Sequence, residues 1–154
     1  MEIGENSREF IKAWLRRAKA DLKSAEDLFR NEDFADSTYH SQQAAEKACK
    51  ALLIAENAFI EEHKISKWFR KVFSGKIEEN RLNNIVKNVM DLEAHWIKPK
   101  YPFAGKGYIW DPTKEYTREI AEDALKKAMF VVNEIEKILK EKYSLDFEKE
   151  NKGL

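Results

Sequence analysis

Gln42, Glu46 and Lys50 follow one another at intervals of four within Tyr39 to Leu53, Y-H-S-Q-Q-A-A-E-K-A-C-K-A-L-L, and Gln43 and Lys47 repeat the spacing one position on. In a helix this places two carboxamides, a carboxylate and two ammonium groups on adjacent faces beside an apolar stripe. A Glu half-buried there needs partners, and Lys47, Lys50 or cations from the preceding helix are at hand. Such a set could fix helix register or form a dimer face. It could equally contact a nucleotide, with Gln42, Gln43 and Glu46 at the base and Lys47, Lys50 and loop lysines near the phosphate. No glycine-rich phosphate cradle accompanies it, so no preference for ATP is implied. The three histidines, His40, His63 and His95, lack metal-ligand spacing, and neither metal nor cofactor is expected. Cys49, in an Ala-rich helical setting, reads as a small core residue rather than a nucleophile.

The elements that must position these groups read as helices. From about Ser7 to Arg30, Phe10, Trp14, Ala18, Leu22, Ala25 and Phe29 recur every three or four residues and predict a core-facing stripe. After the break Asn31-Glu32-Asp33 a second helix runs from Phe34 to about Ala58, and so short a connection predicts an antiparallel pair. A short helix is expected from Ile65 to Phe73, closed at Ser74-Gly75. A fourth runs from about Glu78 to Trp96, and a last one starts near Asp111-Pro112-Thr113 and continues past Ile138. Between them, Ile97 to Trp110 forms a long loop holding Lys98, Lys100, Lys106, Tyr101, Phe103, Tyr108 and Trp110. Its rings and lysines could stack a base and attract phosphates, or fold as an aromatic lid over the bundle end. No alternating strand pattern is evident. The expected fold is an all-α up-and-down four-helix bundle with one additional short helix and a long loop before the last helix. Residues 1–143 form the bundle, and 144–154 form a polar tail that frays.

Composition narrows the function classes. The 154 residues suit one domain, and 28 basic against 28 acidic residues leave no global field toward nucleic acid or an anionic membrane. The first residues lack the apolar run of a signal peptide, and no stretch is apolar enough to span a bilayer. A soluble cytoplasmic protein is expected. The 36% charged content with few Gly and Pro is compatible with a thermophilic source.

With the helices placed, the pattern resembles the HEPN domain in its short stand-alone archaeal and bacterial form. The matching pieces are Trp14, Ala18 and Asp21-Leu22; Tyr39, Gln42-Gln43-Ala44-Ala45-Glu46-Lys47 and Lys50-Ala51-Leu52; His63-Lys64-Ile65, where such proteins often show His-Asp-Leu; and Lys100-Tyr101-Pro102, which looks like their Arg-Tyr-Pro. Tyr116-Thr117, Ala121 and Ala128 look like their last helix, so the likeness spans about residues 8 to 140. Lys64 and Lys100 are departures from the pattern. The resemblance implies one of two roles: a metal-independent endoribonuclease toxin, or a nucleotide-binding or accessory subunit beside a small nucleotidyltransferase. Members of both kinds commonly dimerise.

The resemblance implies that a nuclease would carry an Arg, a small polar residue, four to six others and a His. A base must activate a 2′-hydroxyl while a fixed cation stabilises the phosphorane. Only His95 approaches this, preceded by Lys87-Asn88, and Lys lacks the planar fork of Arg. On one helix, residues eight apart are separated by roughly 12 Å along the axis, so Lys87 and His95 would need a helix break or a second subunit to meet. The sequence therefore favours a homodimeric nucleotide-binding or accessory subunit of a small nucleotidyltransferase, in a toxin–antitoxin-like module, with Gln42, Gln43, Glu46, Lys47, Lys50, Lys100 and Tyr101 as contact residues. An endoribonuclease using Lys87, Asn88 and His95 is the first alternative, and a non-catalytic interaction domain the second.

Overall fold

A computed structural model describes residues 3–148. Among the described residues the elements, in order, are α1 Glu5–Arg30, α2 Phe34–Ala55, α3 Ser66–Phe73, α4 Glu79–Glu93, a hairpin of β1 Phe103–Gly105 and β2 Tyr108–Trp110, α5 Pro112–Glu115 and α6 Arg118–Tyr143. The all-α bundle expected from the sequence holds, with the hairpin as an addition.

α2 is the axis of the molecule. It is buried on nearly every side, because Ala44, Ala45, Ala48, Cys49, Ala51 and Ala55 let α1, α4 and α6 approach its backbone closely. α1 and α2 run antiparallel: the Ser37 hydroxyl donates to the Ala25 carbonyl at 2.7 Å near the tight end, and Trp14 lies by Lys50 farther along. α3 plugs the α4 side with Phe69 and Phe73, both fully buried. Its first turn is capped from outside, since the Ser66 amide and hydroxyl both donate to the Glu93 carboxylate, at 2.7 and 2.8 Å. Glu78 caps α4 through the amides of Asn80 and Arg81, each at 2.9 Å. Gly75, at φ +82, takes the left-handed turn expected after α3.

Several boundaries differ from the sequence reading, each for a local reason. The α1 face that enters the core is Ile11, Leu15, Ala18, Asp21 and Ala25, rotated from the expected stripe. Phe10 stays half exposed and joins Trp14 and Phe59 in a surface ring cluster. α2 ends at Ala55 rather than Ala58, because Asn57 turns left-handed at φ 56. α4 ends at Glu93 rather than Trp96, and the chain passes into successive turns. The expected last helix is two: Asp111 caps the short α5, and Thr117 restarts the chain by accepting from the Ile120 amide at 3.3 Å. The long loop is an antiparallel hairpin pairing Phe103 with Trp110 and Gly105 with Tyr108, turned by Gly107 at φ +80. The expected fraying does not begin at Ser144. Leu145 and Phe147 are buried in the core, and the Leu145 amide returns to the Leu139 carbonyl at 3.0 Å. The rest of that tail, 149–154, lies outside the described residues.

Leu52, fully buried on the axial helix, reports on this core. Leu52→Ala is expected to lower unfolding free energy by about 3 kcal/mol, measured by urea denaturation, with the denaturant slope unchanged.

Candidate functional site

Two carboxylates are buried between α1, α2 and the connection to α3. Glu46, 4% exposed, accepts from Gln42 Nε2 at 3.2 Å through Oε1, while Lys50 Nζ and His63 Nδ1 both lie 3.3 Å from Oε2. Gln43 Nε2 donates to Gln42 Oε1 at 2.7 Å, which fixes the amide that faces Glu46. Helical spacing explains the first contacts, since residues four apart stack on one face. His63 comes from the connection and is held by geometry that no local pattern encodes.

From His63 the network reaches the surface. Its ring stacks on Trp96 with centroids 4.4 Å apart and planes at 21°. Lys100 Nζ stands 4.6 Å from the Tyr39 ring centroid and 5.4 Å from that of Trp96, a cation between two ring faces. Lys50, on the inner side, has its Nζ 5.5 Å from the Trp14 ring. The recess lined by Gln42, Glu46, His63 and Glu93 has no room even for a water. The surface side of this network is therefore the rim of Tyr39, His63, Trp96 and Lys100.

Asp21 is the second buried carboxylate. His40 Nδ1 approaches Oδ1 at 3.0 Å, Arg17 lies 3.4 Å from the same oxygen, and Lys47 donates to Oδ2. Burial alone would raise this carboxyl. The hydrogen bonds from His40 and Lys47 and the charges of Lys47 and Arg17 outweigh it and hold the group below its ordinary value.

Of the residues expected as nucleotide contacts, Gln42, Gln43, Glu46 and Lys50 form one network. Lys47 is drawn away to Asp21, Lys100 stands on the rim, and Tyr101 lies exposed on the segment leading into the hairpin. The nuclease candidates are not brought together. Asn88 donates to the Asn84 carbonyl of its own helix at 2.8 Å, Lys87 is exposed on α4, and His95 lies past the helix end with Nδ1 at 2.9 Å from the Tyr116 hydroxyl. Burial lowers the His95 ring below its ordinary value, helped by Lys98 and Lys127 against Asp123 and Asp91. Burial also pushes Tyr116 up to about 12. The sequence reading missed Asp21 with His40 as a pair and Trp96 as a rim residue. A carboxylate in the middle of the α1 stripe was the available signal for the first.

Beside the rim, a cleft of about 340 Å³ runs between the start of α2 and the hairpin base. Glu32, Asp33, Asp36 and Asp111 line it together with Lys100 and Tyr116, so it repels phosphate from all but its Lys100 wall. Among the described residues, no group of three or more His, Cys, Asp or Glu could hold a metal, and no helix is long and apolar enough to cross a membrane.

A family model described as the HEPN domain matches residues 11–138. The chain is 41% identical over 141 residues to the Methanocaldococcus jannaschii protein named "Putative toxin MJ1304", covering 89% of this chain and 93% of that one. The crystal structure of TT1696 from Thermus thermophilus superposes with a TM-score of 0.64 at 26% identity, covering 82% of this chain and 96% of that one. ST0689, described as an archaeal HEPN homologue, agrees in fold at a TM-score of 0.60 and 22% identity, over 81% of this chain and 93% of that one.

Asp21→Asn is expected to cost about 2 kcal/mol near neutral pH, the scale of a lost charge-assisted hydrogen bond whose partners can still reach water. Because the folded carboxyl lies below its unfolded value of about 3.9, the difference from wild type is full above that value. It disappears as pH falls through the folded value. Denaturant unfolding across pH 2 to 7 measures both limbs.

Proposed function

The chain belongs to the HEPN domain family, and from that premise we propose that it is a toxin-like HEPN protein acting as a nucleotide-binding or accessory subunit. It works as a homodimer beside a small nucleotidyltransferase, in a toxin–antitoxin-like module. The observation that carries this reading is the rim. A buried Glu46 holds His63, His63 holds Trp96, and Lys100 sits between Trp96 and Tyr39, so a ring surface and an unpaired cation are presented together at the mouth of the network. A flat base can stack there while Lys100 leaves the rings for a phosphate. Gln43, at the edge of the carboxamide chain, orders the groups behind it.

The toxin name of the Methanocaldococcus jannaschii relative supports membership of such a module. The endoribonuclease alternative draws less support, because His95 is engaged with Tyr116 and the Asn88 amide turns back onto α4. The partner lies outside this chain, and co-purification with a small nucleotidyltransferase tests it independently of the ligand.

Titration calorimetry with mono-, di- and triphosphate nucleotides is expected to give a saturable heat for the wild type. Lys100→Ala should weaken binding about tenfold, the scale of one lost charge-assisted contact, and Gln43→Ala should weaken it by less, because it removes a neutral hydrogen bond that orders the network. Absence of heat with every nucleotide would sink the reading.

A further inference from the structure

The hairpin carries large apolar side chains that the described residues leave uncovered. Residues 101–109 are all exposed, with Phe103 47% and Ile109 67% accessible, so the rings do not close over the bundle as a lid. Apolar side chains gathered in water mark a surface that something else covers. The hairpin is nevertheless ordered from within. Phe103 stacks on Trp110 with centroids 5.9 Å apart, Trp110 Nε1 donates to the Lys98 carbonyl at 2.9 Å, and the Tyr108 ring lies over Gly105, where a Cβ would fall 2.5 Å from it. The surface is formed before anything binds, which spares the cost of ordering a loop.

Its two faces differ. Phe103 pairs with Trp110 and Gly105 with Tyr108, so these three rings share one face, while Ala104 and Ile109 occupy the other. The aromatic face continues past the strands, because the Trp110 ring meets Tyr116 edge to face with centroids 6.1 Å apart. Tyr116 in turn lines the cleft of about 340 Å³ at the hairpin base, as do Phe34 and Pro102. Four carboxylates line the same cleft: Glu32 pairs with Arg118 and Asp111 caps α5. Among the described residues the other two, Asp33 and Asp36, form no ion pair, and Asp33 makes no side-chain cap to α2. Lys100 is drawn toward the Tyr39 and Trp96 rings. Apolar walls with unpaired carboxylates suit the aliphatic stem and cationic head of an arginine or lysine, and they repel a polyanion.

We propose that the aromatic hairpin face and the acid-lined cleft form one docking groove for an extended segment of a partner protein, with apolar side chains at its first and third positions and a basic one at its fifth. Side chains on one side of an extended chain recur about every 7 Å, and the Gly105–Tyr108 and Phe103–Trp110 rows of the hairpin have the same spacing. The first apolar side chain lies on Tyr108 and the second on the Phe103–Trp110 stack. The cation then passes Tyr116 and enters the cleft beside Asp33 and Asp36. Lys106, at the hairpin turn, disfavours a cation at the other end, so the segment docks in one direction. The groove is independent of the nucleotide rim, because Asp33, Asp36, Phe103 and Tyr108 lie outside it.

The test is fluorescence anisotropy of the full chain with the labelled pentapeptide leucine-serine-leucine-serine-arginine and its reverse. The controls carry glutamate in place of arginine, or arginine moved next to a leucine. Binding by either direction supports the groove, provided it is at least about tenfold tighter than both controls, the scale of one charge-assisted contact. The double variant Asp33→Asn, Asp36→Asn should abolish most of the preference for arginine over glutamate. Tyr108→Ser should weaken the arginine peptide severalfold and leave its salt dependence intact, since the carboxylates remain. All three positions are exposed, and circular dichroism checks that each variant folds. No saturable binding below about 1 mM, equal binding of either control, or a double variant that keeps the full preference would overturn the proposal. So would a molecular mass by light scattering that falls in Tyr108→Ser, which would make the face a contact between copies. Tyr108-dependent binding to phosphatidylserine vesicles without peptide binding would overturn it in favour of a membrane surface.

Discussion

A carboxylate taken out of water must be given hydrogen bonds and a counter-charge, and α2 takes Glu46 out of water near its middle. Gln42 and Lys50, one turn to either side, supply part of this from the same helix. The remaining contact comes from His63, which belongs to a connection with little regular structure of its own. That single demand ties the connection to the core. It also sets the plane of the His63 ring, against which Trp96 packs, and so positions the turns that follow α4. The rim is thus a surface consequence of an interior charge.

Asp21 repeats the arrangement on α1. Its three partners, Arg17, His40 and Lys47, come from α1 itself and from α2, so the pair of long helices is held in register by polar contacts as well as by the small residues between them. The two carboxylates differ in what they leave available. Arg17, His40 and Lys47 converge on Asp21 and are absorbed by it, whereas the Glu46 network hands its orientation outward through His63 to Trp96 and Lys100. The two polar networks therefore sit on neighbouring helices, α1 and α2, and are distinguished by where their partners lead.

Much of this was legible in the sequence. Helices were readable because their apolar positions repeat every three or four residues over many turns, and Gln42, Glu46 and Lys50 were readable as a unit because their spacing is helical. In α1 the conspicuous aromatics Phe10 and Trp14 drew the stripe, while the aliphatic pair Ile11 and Leu15, one position on, are what the core takes. The hairpin was hidden because strands of three residues are too short to alternate visibly, and its turn is Lys106-Gly107 rather than an asparagine-glycine pair. The split before α6 was hidden because Thr117 looks like an interior residue unless its capping role is known. His40 and Asp21 are nineteen positions apart, and His63 and Glu46 seventeen, so both contacts exist only once the helices are packed. The net charge of zero likewise says nothing of how charge is distributed along the chain.

The central claim is that Glu46, through His63, holds a ligand rim at the mouth of α2. Proton–nitrogen and proton–carbon NMR of the histidine and tryptophan rings during nucleotide addition tests it most directly. Saturable shifts at His63 and Trp96, with His95 unmoved, are the expected result. Shifts confined to His95, or none at any of these rings, would contradict it.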